Sequence, residues 1–383
     1  MLTSFEAENY RSIRRIRLDF TNVKNYRFNT ECLKGDILDK IVIMGGNGVG
    51  KTNFAWAILD IASTLHGGGN IGHMNEGSFL NCYAEGGETS FAYTFNFNGS
   101  SVKYRYSKSS PTRLTREEMR VDRRTVFEAD NVNGECILDP RYSIDVTCDG
   151  SVPVLRQLSE GMCLGGDDPV QRLLEFSSQM LYFKSAGQWC DHHIGLSKGE
   201  PDMEKYLTES GSVDSLRSFL SEITDVSYDM TAEDGRVYMM KNGRRFPLID
   251  TASRGTLMLI RLFCWYSQTK DEGSLMVFDD FDCMFHYETA EKALRLIVSG
   301  TKAQCIFITH HGRLFSNEIM RPDCCFIMTE DSLDPISSLT DIRLRKGHNI
   351  EKLLKDGEFS NRARWDPSRT GSVFRVLDPL LSN

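Results

Sequence analysis

Ile41-Val42-Ile43-Met44-Gly45-Gly46-Asn47-Gly48-Val49-Gly50-Lys51-Thr52 is the stretch on which the fold turns. A short, mostly β-branched apolar run stops abruptly at glycine, which reads as a buried strand. After Thr52, Phe54, Ile58, Leu59, Ile61 and Leu65 recur at helical spacing, and Gly67-Gly68-Gly69 closes that helix. Between strand and helix the spacing is G-x-x-x-x-G-K-[ST], in the context the motif requires. Its glycines let backbone N–H groups converge on a phosphate, and the helix N-terminus adds a favourable dipole. Lys51 is placed to neutralise β and γ phosphates, Thr52 offers a hydroxyl to Mg²⁺, and Asn53 follows at the end of the loop. The expected ligand is a nucleoside triphosphate, ATP.

Working outward, Leu275-Met276-Val277-Phe278 and Cys305-Ile306-Phe307-Ile308 read as two more buried strands, with helical periodicity from Tyr287 to Val298 between them. Strand–helix–strand alternation argues an α/β fold with a parallel sheet. The first of these strands ends in Asp279-Asp280, at the edge where ligands bind in such sheets. Asp279 is expected to hold Mg²⁺ and Asp280 to orient or deprotonate a water; helix capping is the competing reading. The second ends in Thr309-His310-His311, which puts His310 within reach of a γ-phosphate. Ser253-Arg254-Gly255-Thr256 opens an apolar helix, an anion-binding geometry that also fits a plain N-cap.

The 383 residues suffice for one large domain or two ordinary ones. A net charge of -8 gives no global basic footprint for nucleic acid. Eleven cysteines without a CxxC pair fit a reduced, cytoplasmic setting, and no apolar run approaches the ~20 residues that span a bilayer. Leu2 to Glu8 and Ile13 to Phe20 alternate like strands, and Phe91, Tyr93, Phe95 and Phe97 lead through Asn98-Gly99 into a second strand. Helices are expected near 169–183 and 202–222, and a hairpin around Asn242-Gly243. Cys190-Asp191-His192-His193 lacks a second ligand pair, so a metal site there is not expected. The cluster Arg11, Arg14, Arg15 and Arg17 reads as a solvated face.

Taken in order, Glu8-Asn9-Tyr10-Arg11-Ser12-Ile13, the phosphate loop, the hairpin, the Ser-x-Gly-Thr helix, the acid pair and Thr309-His310 resemble ABC-type ATPases of the RecF, SMC and OLD branch. The tail, through Met320-Arg321-Pro322-Asp323-Cys324-Cys325-Phe326 and Gly347-His348-Asn349-Ile350-Glu351-Lys352, resembles the small stand-alone ATPases of bacterial anti-phage systems. The resemblance implies a P-loop ATPase head with an N-terminal β-subdomain (1–110), an inserted, mainly helical lid (111–235) and a C-terminal part (236–383). It implies ATP sandwiched in a homo-oligomer, with Lys51 and Thr52 of one protomer facing Ser253, Gly255 and Thr256 of another. His310 becomes the switch histidine and Arg11 a nucleotide contact; no glutamine-loop residue is assigned. Three positions depart from the pattern: Asp280 where Glu is usual, His311 where Asn is common, and Arg254 where small residues are common.

The function implied is a regulatory ATPase of phage defence that holds or releases a Toprim-type nuclease effector encoded nearby, in response to a phage protein. A RecF-like DNA-repair ATPase clamping duplex DNA and an ATP-gated scaffold with little turnover are the alternatives. No membrane partner is expected.

Overall fold

The apolar run that begins at Ile41 forms the strand Lys40–Gly45, with Ile41, Val42 and Ile43 wholly buried because both faces of its sheet are covered. The structure, a computed structural model, describes residues 1–67, 78–82, 87–184, 193–194 and 202–359. Among these, the strand lies in a seven-stranded sheet ordered His193–Ile194, Leu181–Lys184, Leu275–Asp279, Gln304–Thr309, Lys40–Gly45, Cys325–Met328, Leu333–Pro335. The inner neighbours all pair in parallel, and the two edge strands are antiparallel.

A second seven-stranded sheet is antiparallel throughout, ordered Glu135–Leu138, Arg124–Asp130, Arg113–Val121, Ser100–Ser110, Thr89–Phe97, Leu2–Tyr10, Ile13–Asp19. Asn98 and Gly99 make the expected two-residue turn, with φ of 53° and 92°. The helix Lys51–His66 is held against this sheet and is buried around most of its circumference. Phe54 meets the Phe5 ring at 6.0 Å, and the Tyr93 hydroxyl donates to the Ala57 carbonyl at 2.9 Å. The buried Asp60 accepts from Tyr106 at 2.8 Å and Lys108 at 2.7 Å, so its charge is paired. Gln304 ties the two sheets together by accepting from Leu2 N–H (3.1 Å) and donating to the Leu2 and Leu38 carbonyls.

Between 111 and 235 the structure departs from the sequence reading in its details. Arg113–Val121, Arg124–Asp130 and Glu135–Leu138 continue the antiparallel sheet, so the helical stretch begins only at Val154. It comprises Val154–Gly161, Pro169–Ser178, Met203–Glu209 and Val213–Thr224. The helix expected over 169–183 stops at Ser178, because Leu181–Lys184 pairs with Leu275–Asp279 in the central sheet. A short apolar run such as Leu181-Tyr182-Phe183 cannot be told from a last helical turn by periodicity, and pairing with residues 95 positions further along the chain decided it. The helix expected over 202–222 is interrupted at Gly211, whose φ of +65° a helix cannot contain. The hairpin around Asn242-Gly243 is present, joined by a third strand, Met230–Glu233.

The tail motif beginning at Met320 is a buttress. Arg321 and Asp323 form a buried two-pronged pair, at 3.0 and 2.8 Å. Arg321 also donates to the carbonyls of Lys24 and Tyr26, and Asp323 accepts from Lys24 N–H. Among the described residues no helix is long and apolar enough to cross a membrane.

Candidate nucleotide site

The phosphate loop is shaped by contacts that leave no room for side chains at two of its glycines. A Cβ on Gly45 would lie 2.5 Å from the Met328 carbonyl of the adjacent strand. Gly50, at φ +98°, would drive one to 2.9 Å from the Ser12 hydroxyl. Gly46, Asn47 and Gly48 are exposed, and Val49 packs back on the strand end. Asn53 donates to Ser12 at 2.6 Å, so the N-terminal turn Arg11-Ser12 lies beside the loop. The Lys51 ammonium is folded onto its own loop, donating to the carbonyls of Gly45 (2.9 Å) and Gly46 (2.8 Å). Burial lowers its pKa, against the pull of Asp280 and Asp279.

The parallel register brings the acid strand to the same edge. Thr52 donates to one Asp279 oxygen, Oδ2, at 2.8 Å. The same oxygen accepts from Tyr182 (2.9 Å) and Lys184 (3.2 Å), both on Leu181–Lys184. The other oxygen, Oδ1, is buried with no hydrogen-bond partner among the described residues. An orphaned carboxylate oxygen beside a threonine hydroxyl is a donor set that suits Mg²⁺. Burial, then Asp279, pushes the Tyr182 hydroxyl well above its usual range.

Asp280 sits just past the strand with φ +51°, a left-handed conformation that Asp tolerates better than Glu. Its carboxylate lies 3.3 Å from His310 Nε2 and 3.9 Å from Lys184. Burial and the neighbouring Asp279 raise its pKa, while Lys184, His310 and Lys51 oppose the shift. A second acid–histidine pair runs alongside: buried Asp282 accepts from Thr309 at 2.7 Å and lies 4.0 Å from His311. The backbone stitches the two strand ends together where Phe281 N–H donates to the Ile308 carbonyl.

The structure thus gathers Lys51, Thr52, Asp279, Asp280 and His310 at one sheet edge. Arg11 is held elsewhere than on the solvated face first expected of it. Its guanidinium lies 4.5 Å over the Trp56 ring, whereas Arg15 and Arg17 face water beside Glu6 and Glu8. Ser253, Arg254, Gly255 and Thr256 open the helix Arg254–Thr269 as an N-cap in which Ser253 accepts from Thr256 N–H at 3.1 Å. The helix start lies close to the loop after the acid pair, where a Cβ on Gly255 would come to 3.0 Å from the Met284 carbonyl and require that loop to give way. Cys190-Asp191-His192-His193 lies outside the residues whose side chains are described. Tyr182, Lys184 and Asp282 were not foreseen; only Asp282, two residues past the acid pair, stood near a sequence signal.

No protein-family model matches the chain, and no curated protein does. Among solved structures it is similar to the SMC head domain from Thermotoga maritima, at 15% identity and a TM-score of 0.43, over 87% of this chain and 98% of that one. It is also similar to an SMC head bound to the C-winged helix domain of ScpA (13%, 0.48, 87% and 96%). A third is an SMC head with an extended coiled coil bound to the C-terminal domain of ScpA derived from Pyrococcus furiosus (12%, 0.42, 87% and 95%). At that identity the likeness concerns the course of the chain and not the chemistry of the site. The central strand order, with the loop after Lys40–Gly45 and the acid and histidine at neighbouring strand ends, makes an α/β fold whose parallel central sheet brings these residues to one edge.

Proposed function

We propose that the chain is an ATPase that binds ATP on Gly45 to Asn53 and closes over it as a pair of heads. The observation that carries this reading is the convergence of Thr52, Asp279, Asp280 and His310 beside the phosphate loop. Thr52 and Asp279 are the residues to hold Mg²⁺, which when bound neutralises phosphate charge. Lys51 leaves its two loop carbonyls for the phosphates. Asp280, whose raised pKa suits a proton acceptor, orients and deprotonates the attacking water. His310, against Asp280, senses the γ-phosphate. Asp is one methylene shorter than Glu, and attack geometry is sensitive to ~1 Å, so slow turnover is expected.

Closure places Ser253, Gly255 and Thr256 of a second copy over the nucleotide, with Arg254 adding charge there. The start of the helix Arg254–Thr269 packs close to the loop that carries Asp282, since a Cβ on Gly255 would meet the Met284 carbonyl at 3.0 Å. The biological role we infer, from the tail resemblance, is that of the ATPase subunit of an anti-phage system, similar to AriA of PARIS. There it holds a Toprim-type nuclease until a phage protein intervenes. The low-turnover scaffold remains the second reading, favoured by the strained, shortened Asp280.

Sedimentation of an Asp280→Asn variant tests the closure. With Mg²⁺ and ATP it is expected to shift to a larger species that Ser253→Arg abolishes. An unchanged sedimentation coefficient with ATP demonstrably bound overturns the sandwich.

A further inference from the structure

We propose that Lys184 is a tethered cation guarding the metal-facing carboxylate, so that a divalent cation settles on Asp279 only together with nucleotide. The inference rests on the nucleotide-site reading above and adds a residue to it.

Leu181–Lys184 pairs in parallel with Leu275–Asp279, and the register sets Lys184 directly against Asp279. The Lys184 ammonium lies 3.2 Å from Asp279 Oδ2 and 3.9 Å from Asp280, and its side chain is only 17% exposed. Asp279 itself is fully buried. Two adjacent carboxylates in so dry a place need a positive neighbour. Lys51 does not supply a direct one, since its ammonium is spent on the carbonyls of Gly45 and Gly46. Among the described residues, Lys184 is the cation bonded to Asp279.

Asp279 Oδ2 is occupied by Thr52, Tyr182 and Lys184, and the buried Oδ1 has no hydrogen-bond partner among the described residues. A divalent ion approaching Oδ1 without phosphates meets a fixed ammonium across one carboxylate, where charges are weakly screened. The negative charge of ATP phosphates removes that obstacle. Lys184 therefore acts through Asp279 as a positioning residue and makes metal loading conditional on nucleotide. A purely structural lysine would hold the strand pair together and leave metal affinity unchanged.

Manganese, which can stand in for Mg²⁺ and is read by electron paramagnetic resonance, tests this without any turnover. Wild type, Lys184→Met, Lys184→Gln and Lys184→Arg are titrated with Mn²⁺ in the absence of nucleotide, and wild-type ATP binding is measured on the same preparation. The neutral variants are expected to bind Mn²⁺ about tenfold tighter or more, as removal of a nearby like charge predicts. Lys184→Arg should match wild type, and adding Asp279→Asn to Lys184→Met should erase the gain. Equal Mn²⁺ affinity in wild type and in whichever neutral variant melts cooperatively overturns the role of Lys184, even with ATP bound normally. Absence of ATP binding by wild type overturns the nucleotide site itself, a separate result.

Discussion

Thr52 and Asp279, 227 residues apart in sequence, share a 2.8 Å hydrogen bond at the edge of the central sheet. The bond exists because the phosphate-loop strand and the acid strand flank Gln304–Thr309 in one parallel register. It fixes which carboxylate faces the loop and leaves Asp280, one residue later and turned by a left-handed φ, to face His310. The division of labour between two adjacent acids follows from that turn.

Asp280→Asn is expected to lower ATP turnover by about 10²-fold or more, with ATP affinity retained, because it removes a positioned proton acceptor. Asp280→Glu should keep or raise turnover through its longer reach. It should also lose about 1 kcal/mol of stability, from a side chain less suited to the left-handed backbone. Single-turnover assays beside denaturant titrations read both effects. Turnover of Asp280→Asn equal to wild type would remove this residue from the chemistry.

Arg321→Ala should destabilise the fold by about 3–5 kcal/mol, since it leaves the buried Asp323 charge without its partner and frees the carbonyls of Lys24 and Tyr26. Urea unfolding measures it. A loss below 1 kcal/mol would show that the tail motif is not the buttress described.

Glu117 gives a pH signature. It is buried, accepts from Tyr104, Val154 N–H and Leu155 N–H, and burial outweighs these donors to push its carboxyl up to about 7. A carboxyl whose folded pKa exceeds its unfolded value of 4.5 binds more protons when folded. Its contribution to stability is therefore complete below that value and is lost as pH rises through about 7. Wild type should gain, relative to Glu117→Gln, a few kcal/mol of stability between pH 8 and pH 5. A difference independent of pH would contradict the shift.

Much of the candidate site's placement was legible in the sequence, for physical reasons. The phosphate loop and Asp279 sit at strand ends where abrupt changes from apolar to glycine or acid mark both the element and the chemistry. The antiparallel hairpin was legible because Asn98-Gly99 permits a turn that few residue pairs adopt. Lys184 was not, because Leu181–Lys184 becomes a strand only by pairing with a distant partner. Arg11 was misjudged as surface because nothing local signals that Trp56, on the helix Lys51–His66, lies under it. Ser253 to Thr256 show only a helix cap within one chain, and their proposed partner is a second copy.

Calorimetric titration of ATP with Mg²⁺ into wild type and Lys51→Ala tests the central claim most directly. Saturable binding of one ATP per chain by wild type, weakened about 100-fold or more in Lys51→Ala through loss of a buried charge-assisted contact, is the result predicted. Equal affinity in the two proteins would place the nucleotide somewhere other than Gly45 to Thr52.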